Sequence, residues 1–359
     1  MKIFVTGGAG FLGRRVVGKL VHEGHSVRCL ARPTSNIASL FDAIPTGKQS
    51  QVQIVRAQLS RFSAEMLDGC DAICHVAGAM KGSTAALFSD NVIATRRILQ
   101  FAHAAAVRRV VLISSLAVYG TSGLRAGAVL DETCPLDERP HQRDPYTYSK
   151  LAGELLAWQA HASGQCPLVV VRPGVIYGAG RDPLSRRVGL SVGRMIIRMG
   201  SRQLLPYVHV EECAAGVVLA VTTPGIEGEA FNLVDTKLMT ARDFLKVYRV
   251  SRPGLAVIPV PHWAIGPLSR LNVWYHQWSS GQLPAVLTPR KSQAFWKRLQ
   301  YSNAKATAVL GWNPCPSTRV AICDLLRSQV EFPNSVEFRG QAAIGARNLA
   351  RPRELHLAD

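Results

Sequence analysis

The feature that most constrains the fold of this chain is a glycine-rich string that follows its first apolar segment. Residues 6–13 are Thr-Gly-Gly-Ala-Gly-Phe-Leu-Gly, and they lead from a predicted strand into a predicted helix at 11–23. Gly7 permits a tight turn, Gly10 lets the backbone approach an anion closely, and Gly13 lets strand and helix pack together. The string therefore predicts a phosphate-binding turn at a helix N-terminus, with a purely structural turn as the alternative.

The first half of the chain alternates short apolar strands with helical segments, which is typical of a parallel α/β sheet. Strands are predicted at residues 2–6, 26–31, 52–56, 72–76, 109–114 and 168–172, and helices at 11–23, 85–105 and 146–163. Beyond residue 174 the alternation weakens, although 231–234 could form a further strand. We therefore predict an α/β fold: a Rossmann-type doubly wound parallel sheet with a smaller C-terminal substrate lobe.

This pattern divides the chain into three predicted regions. Residues 1–175 form a dinucleotide-binding domain, residues 176–330 form a substrate lobe interleaved with the sheet, and residues 331–359 form a mobile basic tail. We expect the lobe to cover the C-terminal edge of the sheet, because ligands of such sheets bind at that edge.

The residue after the second predicted strand bears on which dinucleotide is bound. A site that prefers NAD usually has Asp or Glu about 20 residues after the glycines, where it bonds the ribose hydroxyls. This chain has Arg32 there, with Arg28 nearby and no carboxylate. Because an arginine can accommodate a 2′-phosphate, the sequence favours NADP over NAD. The alternative is that Arg32 faces solvent and that NAD is bound less selectively.

A serine, a tyrosine and a lysine form the predicted catalytic group. Ser115 follows the fifth strand, and Tyr146 and Lys150 share one face of a predicted helix because they are four residues apart. An ammonium beside a phenol lowers the tyrosine pKa from about 10, which allows proton exchange with a hydroxyl near neutral pH. Ser115 would hydrogen-bond the substrate oxygen. Tyr148 is not favoured, because Ala152 stands four residues after it.

In combination, these motifs resemble the extended short-chain dehydrogenase/reductase family, also called the NAD-dependent epimerase/dehydratase family, over about residues 1–326. The similar segments are 6–13, 75–78, 91–95, 115–120, 146–150, 172–178, 208–212 and 301–312. The resemblance implies catalytic roles for Ser115, Tyr146 and Lys150. It implies cofactor contacts from Gly7, Gly10, Phe11, Leu12, Gly13, Arg32, Gln58, Leu59, Val76, Ala77, Gly78, Asn91, Tyr146, Lys150, Pro173 and Val175.

Departures from the family pattern narrow the substrate that the resemblance implies. Members that remove water from sugars carry Asp-Glu after the catalytic Ser or Thr, whereas this chain has Leu116 and Ala117. Sugar-nucleotide epimerases commonly have Asn where Val175 stands. A further departure concerns the cofactor, since Gln58 replaces the usual Asp near the adenine. Segment 172–178 looks more like the 3β-hydroxysteroid dehydrogenase, dihydroflavonol reductase and hopanoid-associated epimerase branches.

The implied function is therefore an NAD(P)-dependent oxidoreductase or epimerase that acts on a secondary alcohol or ketone. Its substrate is a sugar nucleotide, or a sterol-, isoprenoid- or dihydroflavonol-like compound. The alternative is a non-catalytic NAD(P)-binding regulatory protein of the same fold. Relatives with that role usually lose the Tyr or the Lys, and this chain keeps both.

Cysteine usage and charge bear on the compartment and the partners. Eight cysteines are scattered without a CxxC pair, so we expect no metal site and a cytoplasmic protein with free thiols. The formal net charge of +18 suits anionic partners, but the sequence has no nucleic-acid-binding motif, so no specific nucleic acid is expected. A basic tail or an arginine-rich background composition is the alternative explanation.

Aromatic residues stand beside basic ones in segment 261–278. This composition would suit a weak contact with a membrane surface or a cover over an apolar substrate, with ordinary lobe packing as the alternative. The long helices would also allow a homodimer.

Overall fold

The computed structural model describes residues 1–279, 282, 286–315 and 317–331. Its strands are β1 (Lys2–Thr6), β2 (Ser26–Ala31), β3 (Val52–Arg56), β4 (Ala72–His75), β5 (Arg109–Ile113), β6 (Val129–Leu130), β7 (Leu168–Pro173), β8 (Val175–Tyr177), β9 (Gly189–Val192), β10 (Met195–Met199), β11 (Tyr207–His209), β12 (Glu229–Leu233), β13 (Ala256–Val260) and β14 (Gln300–Tyr301). Its α-helices are α1 (Gly13–His22), α2 (Ala38–Phe41), α3 (Thr84–Phe88), α4 (Ala94–Ala104), α5 (Pro145–Ala162), α6 (Val210–Thr222), α7 (Ala241–Val250), α8 (His262–Trp278), α9 (Pro289–Trp296), α10 (Ala304–Leu310) and α11 (Thr318–Glu331).

A seven-stranded sheet forms the centre of the fold, in the order β12-β7-β5-β4-β1-β2-β3. Every neighbouring pair in it is parallel. The strand order reverses between β1 and β4, and in such sheets the ligand binds at the C-terminal ends of the strands beside this reversal. The predicted Rossmann-type doubly wound sheet is therefore confirmed.

Helices cover both faces of this sheet. On one face α1 and α6 pack together, with Val17, Leu20 and Val217 fully buried among the residues of the first core. On the other face α4 and α5 pack over Ile73, Val110 and other residues of the second core. Because both faces are covered, β4, β5 and β7 are buried along their whole length, which explains their continuous apolar sequences.

The smaller lobe is built from segments on either side of β12. It contains a three-stranded sheet in the order β13-β10-β9 and the two-stranded pair β11-β8. A separate core beneath them includes Tyr177, Tyr207 and Phe244. Helix α6 and strand β12 follow position 176 in the chain, but they belong to the layers of the main sheet. The predicted basic tail at 331–359 lies outside the described residues, except for Glu331, which ends α11.

The helix predicted over residues 85–105 is wrong as a single element. The structure has α3, then one turn of π-helix at Ser89–Ile93, then α4. Just beyond this turn, Thr95 donates from its hydroxyl to the carbonyl oxygen of Asn91 at 2.8 Å, a type of bond that often bends helices. Single π-turns of this kind are frequent at functional sites.

Candidate active site

The glycine-rich turn closes at the C-terminal end of β1. Gly7 has a φ of +70°, and a Cβ atom placed on it would lie 2.8 Å from the Cα atom of Ala77, so a side chain is excluded by conformation and by space. The carbonyl oxygen of Gly7 accepts a hydrogen bond from the amide of Gly10 at 2.9 Å. A Cβ atom on Gly13 would lie 2.1 Å from that same oxygen. The turn therefore has the tight strand–helix packing that the sequence predicts.

The N-terminus of α1 suits an anion. Its first turn has no acidic residue, and Arg14 and Arg15 stand there. The helix dipole concentrates partial positive charge at this end, beside backbone amide groups that have no acceptor within the helix. A Cβ atom on Gly10 would meet the Gly7 carbonyl at 3.0 Å and otherwise open space among the described residues. The residues of this turn that fit a dinucleotide pyrophosphate are Gly7, Gly10, Phe11, Leu12 and Gly13.

Two arginines lie at the ends of β2 and β3, on the side where this fold holds the ribose of a dinucleotide. Arg32 directly follows β2 and is exposed. Arg56, the last residue of β3, donates from Nη1 to the carbonyl oxygens of Pro33 and Ser35 at 3.1 and 2.9 Å. A second guanidinium therefore lies beside the segment that Arg32 begins. Gln58 is also exposed, and with Leu59 it starts a short 3-10 helix beyond β3.

The expectation that Arg28 lies near Arg32 is wrong. The guanidinium of Arg28 donates to the carbonyl oxygens of Met66 and Asp68 at 2.8 and 3.1 Å. Arg32 follows the end of β2, and four residues of extended chain span about 13 Å, so the Cα atoms of Arg28 and Arg32 are far apart. Arg56, rather than Arg28, is the second cation at this end.

The segment after β4 passes between the glycine-rich turn and α5. The amide of Ala77 donates to Thr6 Oγ1 at 3.2 Å, which holds this segment against the turn. A Cβ atom on Gly78 would lie 2.7 Å from Nζ of Lys150, so only glycine leaves room for the lysine. Val76, which precedes them, packs against the first core. The predicted contributors Val76, Ala77 and Gly78 therefore lie between the glycine-rich turn and Lys150.

Asn91, in the π-helix, supports this arrangement from the opposite side. Its side chain exchanges two hydrogen bonds with the backbone of Ala79, each of 3.0 Å. Its Nδ2 also donates to Ser149 Oγ at 2.9 Å, and Ser149 donates to the carbonyl oxygen of Tyr146. Asn91 is buried, so these bonds link the segment after β4 to the first turn of α5. It is a positioning residue for Tyr146.

Ser115, Tyr146 and Lys150 meet at the C-terminal end of β5. Ser115 caps a short 3-10 helix at Leu116–Val118, and its hydroxyl lies close enough to the phenol of Tyr146 to lower the pKa of that phenol. One turn along α5, Lys150 donates from Nζ to the carbonyl oxygen of Ile113 at 3.0 Å. The structure therefore brings the three predicted catalytic side chains together, and Tyr148, on the same helix, is exposed with its ring against Phe88.

The local sequence determines where α5 begins. Asp144 is the N-cap, since its carboxylate accepts hydrogen bonds from the amide and the hydroxyl of Thr147, each at 2.9 Å. Pro145 follows at the first helical position, which its fixed φ favours. This start fixes Tyr146 in the first turn of the helix, directly beside Ser115.

The sequence prediction of a lowered tyrosine pKa is wrong for the protein without its cofactor. Burial raises the pKa of Tyr146, because it disfavours the phenolate. The two groups that oppose this rise are the Ser115 hydroxyl and the Arg181 guanidinium. The ammonium of Lys150 is directed to the Ile113 carbonyl, and burial lowers its own pKa to about 8.

A buried ion pair lies beneath Lys150. Glu154, which is fully buried, accepts two hydrogen bonds from the guanidinium of Arg172 through Oε1, one of them at 3.0 Å. Its negative charge raises the pKa of Lys150 and opposes the effect of burial. The second oxygen of Glu154 and the hydroxyl of Ser114 are buried without a partner among the described residues, and both residues line a cavity of about 10 Å³ beside Lys150.

Arg181 is a candidate site residue that the sequence prediction missed. It follows β8 in the loop of the substrate lobe, and its guanidinium lies 5.4 Å from the ring centroid of Phe11 in the glycine-rich turn. Its charge also acts on Tyr146, as the pKa shifts of both groups record. A half-buried cation therefore stands between the glycine-rich turn and the phenol of Tyr146.

The remaining predicted contacts, Pro173 and Val175, lie where β7 leads into β8. Pro173 ends β7, and the amide of Val175 donates to the carbonyl oxygen of Pro206 at 2.7 Å. A Cβ atom on Gly174 would lie 2.1 Å from that oxygen, so the chain at Gly174 passes as close to Pro206 as a residue without a side chain allows. This junction connects the end of the main sheet with the lobe.

Comparison with known proteins agrees with this geometry. The sequence model of the NAD dependent epimerase/dehydratase family matches residues 3–233, which include the glycine-rich turn and the three catalytic candidates. The chain belongs to the NAD-dependent epimerase/dehydratase family. Its members are also called extended short-chain dehydrogenases/reductases, and the chain is an NAD(P)-dependent enzyme of this type.

Two relatives illustrate the range of this family. A 4-hydroxy-2-methyl-3-oxo-4-farnesyl-3,4-dihydroquinoline-1-oxide ketoreductase of Stigmatella aurantiaca is 32% identical over 249 residues, which are 68% of this chain and 71% of the relative. A 3β-hydroxysteroid dehydrogenase/Δ5→4-isomerase of Mycobacterium tuberculosis is 27% identical over 347 residues, 90% of this chain and 89% of that protein.

Solved structures of the family share the fold. A UDP-glucuronic acid 4-epimerase of Bacillus cereus in complex with UDP-glucuronic acid and NAD superposes with a TM-score of 0.68 at 20% identity, covering 92% of this chain and 99% of that chain. The sequence pattern identified the glycine-rich turn and the three residues that lie at the end of β5, and the catalytic role of those three residues stays a prediction. Arg56 and Arg181 were missed, because each acts on residues that are distant in sequence. Glu154 was missed although it lies four residues from Lys150, because its effect depends on burial.

Proposed function

We propose that this chain transfers a hydride between a nicotinamide dinucleotide and a ketone or secondary alcohol, with Ser115, Tyr146 and Lys150 as its catalytic residues. The observation that carries the proposal is the meeting of these three side chains at the end of β5. The glycine-rich turn follows β1, which is two strands away in the same parallel sheet. A dinucleotide can span that distance along the C-terminal edge of the sheet.

Each side chain has a role that follows from its chemistry. The phenol of Tyr146 donates a proton to the carbonyl oxygen in reduction, or accepts one from the hydroxyl in oxidation. The hydroxyl of Ser115 holds the same substrate oxygen, and the ammonium of Lys150 holds α5 at the end of β5 and adds positive charge to the site. The bound nicotinamide supplies or accepts the hydride.

The proposed cofactor is NADP rather than NAD. Arg32 and Arg56 bring two guanidinium groups to the ends of β2 and β3, where an NAD site would have a carboxylate. Guanidinium groups bind phosphate with strong, charge-assisted hydrogen bonds. The Bacillus cereus epimerase was solved with NAD, so the proposal of NADP rests on Arg32 and Arg56 of this chain alone.

The proposed substrate is an apolar carbonyl compound of the isoprenoid or sterol class. Leu116 and Ala117 follow the catalytic serine, and Val175 stands at the strand junction, so these positions offer neither a carboxylate nor an amide to a polar ligand. Among the relatives, the name of the ketoreductase refers to a farnesylated compound, and the name of the hydroxysteroid dehydrogenase refers to a steroid. This supports an apolar substrate over a nucleotide sugar.

Nicotinamide absorbance tests the proposal directly. The purified protein with NADPH should consume cofactor on addition of a steroid ketone or a farnesylated ketone, and UDP-glucuronic acid should be recovered unchanged. Epimerisation of UDP-glucuronic acid without turnover of apolar ketones would contradict the substrate class. The absence of turnover with both classes, in a protein that binds NADPH, would contradict the catalytic proposal and favour a regulatory protein.

We further propose a cytoplasmic location and a homodimer. The eight cysteines are all free thiols in the structure, and five of them are buried, which suits a reducing compartment. Sedimentation of the purified protein tests the oligomeric state, and fractionation of cells tests the location.

A further inference from the structure

Helix α8 presents an aromatic face to solvent. Trp263, Trp274 and Trp278 are 78%, 57% and 68% exposed. Together with Pro267 and Leu271 they are separated by steps of three or four residues, so all five lie on one side of the helix. Trp274 and Trp278 stack with their ring centroids 6.4 Å apart. The result is a continuous apolar stripe on the outside of the lobe.

On the inward face of α8, Ile265 is buried in a small apolar core, and its neighbours on that face make polar contacts. Ser269 is fully buried, donates to the carbonyl oxygen of Ile265 at 2.7 Å and hydrogen-bonds Ser292 of α9. One turn further, Asn272 Oδ1 accepts a hydrogen bond from the amide of Leu287 at 2.8 Å. Small polar side chains therefore point into the lobe while tryptophans point out. The largest apolar side chains of this helix therefore lie on its solvent side, and an exposed apolar patch of this kind marks an interaction surface.

The charge around α8 indicates the partner. From residue 244 to residue 323 the chain contains ten Lys or Arg residues and no Asp or Glu. Some of the ten pair with carboxylates elsewhere, as Arg290 does with Asp137 and Lys305 with Glu229. Arg270 lies on α8 itself, is exposed, and borders the aromatic stripe. Because Arg270 lies beside the stripe and this segment of the chain has no carboxylate of its own, the stripe favours an anionic partner over a second copy of the same basic segment.

We propose that α8 docks on the surface of an anionic lipid bilayer, parallel to the membrane plane, with its tryptophans at the level of the headgroups. Tryptophan favours the boundary between hydrocarbon and water, and basic residues at that boundary attract anionic headgroups. The helix has 17 residues and is about 25 Å long at 1.5 Å per residue. In the described part of the chain, no helix combines the length and the apolar character needed to cross a bilayer, so this is a surface contact.

Vesicle sedimentation with the full-length protein tests this proposal. Vesicles that contain phosphatidylglycerol should pellet the protein, pure phosphatidylcholine vesicles should pellet much less, and added salt should release it. The emission of its tryptophans should shift to shorter wavelength on binding, because Trp296 and Trp312 are already buried and the exposed tryptophans are those of α8.

Three variants make the test specific. The triple variant Trp263→Gln, Trp274→Gln, Trp278→Gln should lose vesicle binding, and Arg270→Glu should weaken it by about fivefold or more. The control pair Val309→Gln, Val320→Gln removes exposed apolar side chains outside α8 and should bind vesicles as the unchanged protein does. Circular dichroism and NADPH binding establish that each variant is folded.

The proposal is overturned if the unchanged protein stays in solution with phosphatidylglycerol vesicles, or if the triple variant binds them equally well. It is also overturned if the unchanged protein is a dimer that ignores vesicles and the triple variant is a monomer, since a second copy would then cover the stripe. Because lipid binding is measured without turnover, neither result depends on the proposed catalytic function.

Discussion

Lys150 donates a hydrogen bond from Nζ to the carbonyl oxygen of Ile113 at 3.0 Å, and this bond joins α5 to the end of β5. Ser115 lies two residues beyond Ile113, and Tyr146 lies one helical turn before Lys150, so the bond also sets the phenol beside the serine hydroxyl. The lysine is therefore an electrostatic group and a structural one. The burial of its ammonium should be visible in the pH dependence of the reaction.

The kcat/KM of the free enzyme should fall as pH rises above about 8. Burial lowers the pKa of Lys150 from 10.5 to about 8, so above this pH the amine becomes neutral and the site loses this positive charge. A pH–rate profile measures this limb. In Glu154→Gln the limb should move to lower pH, because the Glu154 charge raises the lysine pKa. A limb that stays in place in this variant would assign it to another group.

Glu154→Ala should destabilise the fold strongly. The variant leaves the buried Arg172 guanidinium without its carboxylate partner, a loss that costs about 3–5 kcal/mol in buried pairs. The double variant Glu154→Leu, Arg172→Met should lose less, since it removes both charges. Urea unfolding gives the free energies of unfolding. A double variant that is less stable than Glu154→Ala would show that the ion pair itself is worth more than its desolvation cost.

Arg32→Asp should reverse the cofactor preference. The substitution removes a partner for the 2′-phosphate and offers a carboxylate to the ribose hydroxyls, so binding of NADPH should weaken by about tenfold or more while binding of NADH improves. Isothermal titration with both cofactors measures the two affinities. Arg28→Gln, on the same strand but bonded to Met66 and Asp68, should leave their ratio unchanged. Equal ratios in both variants would contradict the assignment.

Arg181→Gln should move the alkaline ionisation of Tyr146 to higher pH. The guanidinium lowers the tyrosine pKa, so its removal leaves burial less opposed and keeps the phenol protonated over a wider range. The pH dependence of alcohol oxidation, which needs the phenolate, measures the shift. Arg181→Lys keeps the charge and should keep the profile. If Arg181→Gln changes the amplitude of the profile but not its midpoint, the arginine acts through binding alone.

The sequence predicts the dinucleotide half of the fold closely, because its signals are local. The alternation of apolar strands and helices identifies β1, β2 and β3 with the bounds that the structure has, and the glycines identify the turn. The sheet of β9, β10 and β13 was not predicted, because the β9–β10 hairpin is irregular in pattern and β13 pairs with a strand far earlier in the chain.

The sequence predicted the residues of the candidate site better than it predicted their hydrogen bonds and the direction of their pKa shifts. Spacing on a helix places Tyr146 and Lys150 on one face, but it does not show that the lysine is directed to Ile113. It also cannot show that Arg181 reaches Phe11 from a loop 170 positions later in the chain. The direction of the Tyr146 pKa shift depends on burial and on such distant charges, so local reasoning gave the wrong sign.

The rate of NADPH-dependent ketone reduction by Tyr146→Phe is the most direct measurement of the central claim. Removing the phenolic hydroxyl deletes the proton donor but keeps the ring, so kcat should fall by about 10²- to 10⁴-fold with NADPH binding nearly unchanged. The matched variant Tyr148→Phe, two residues along α5 and exposed, should retain the full rate. A Tyr146→Phe protein that reduces the ketone at the rate of Tyr148→Phe would contradict the account.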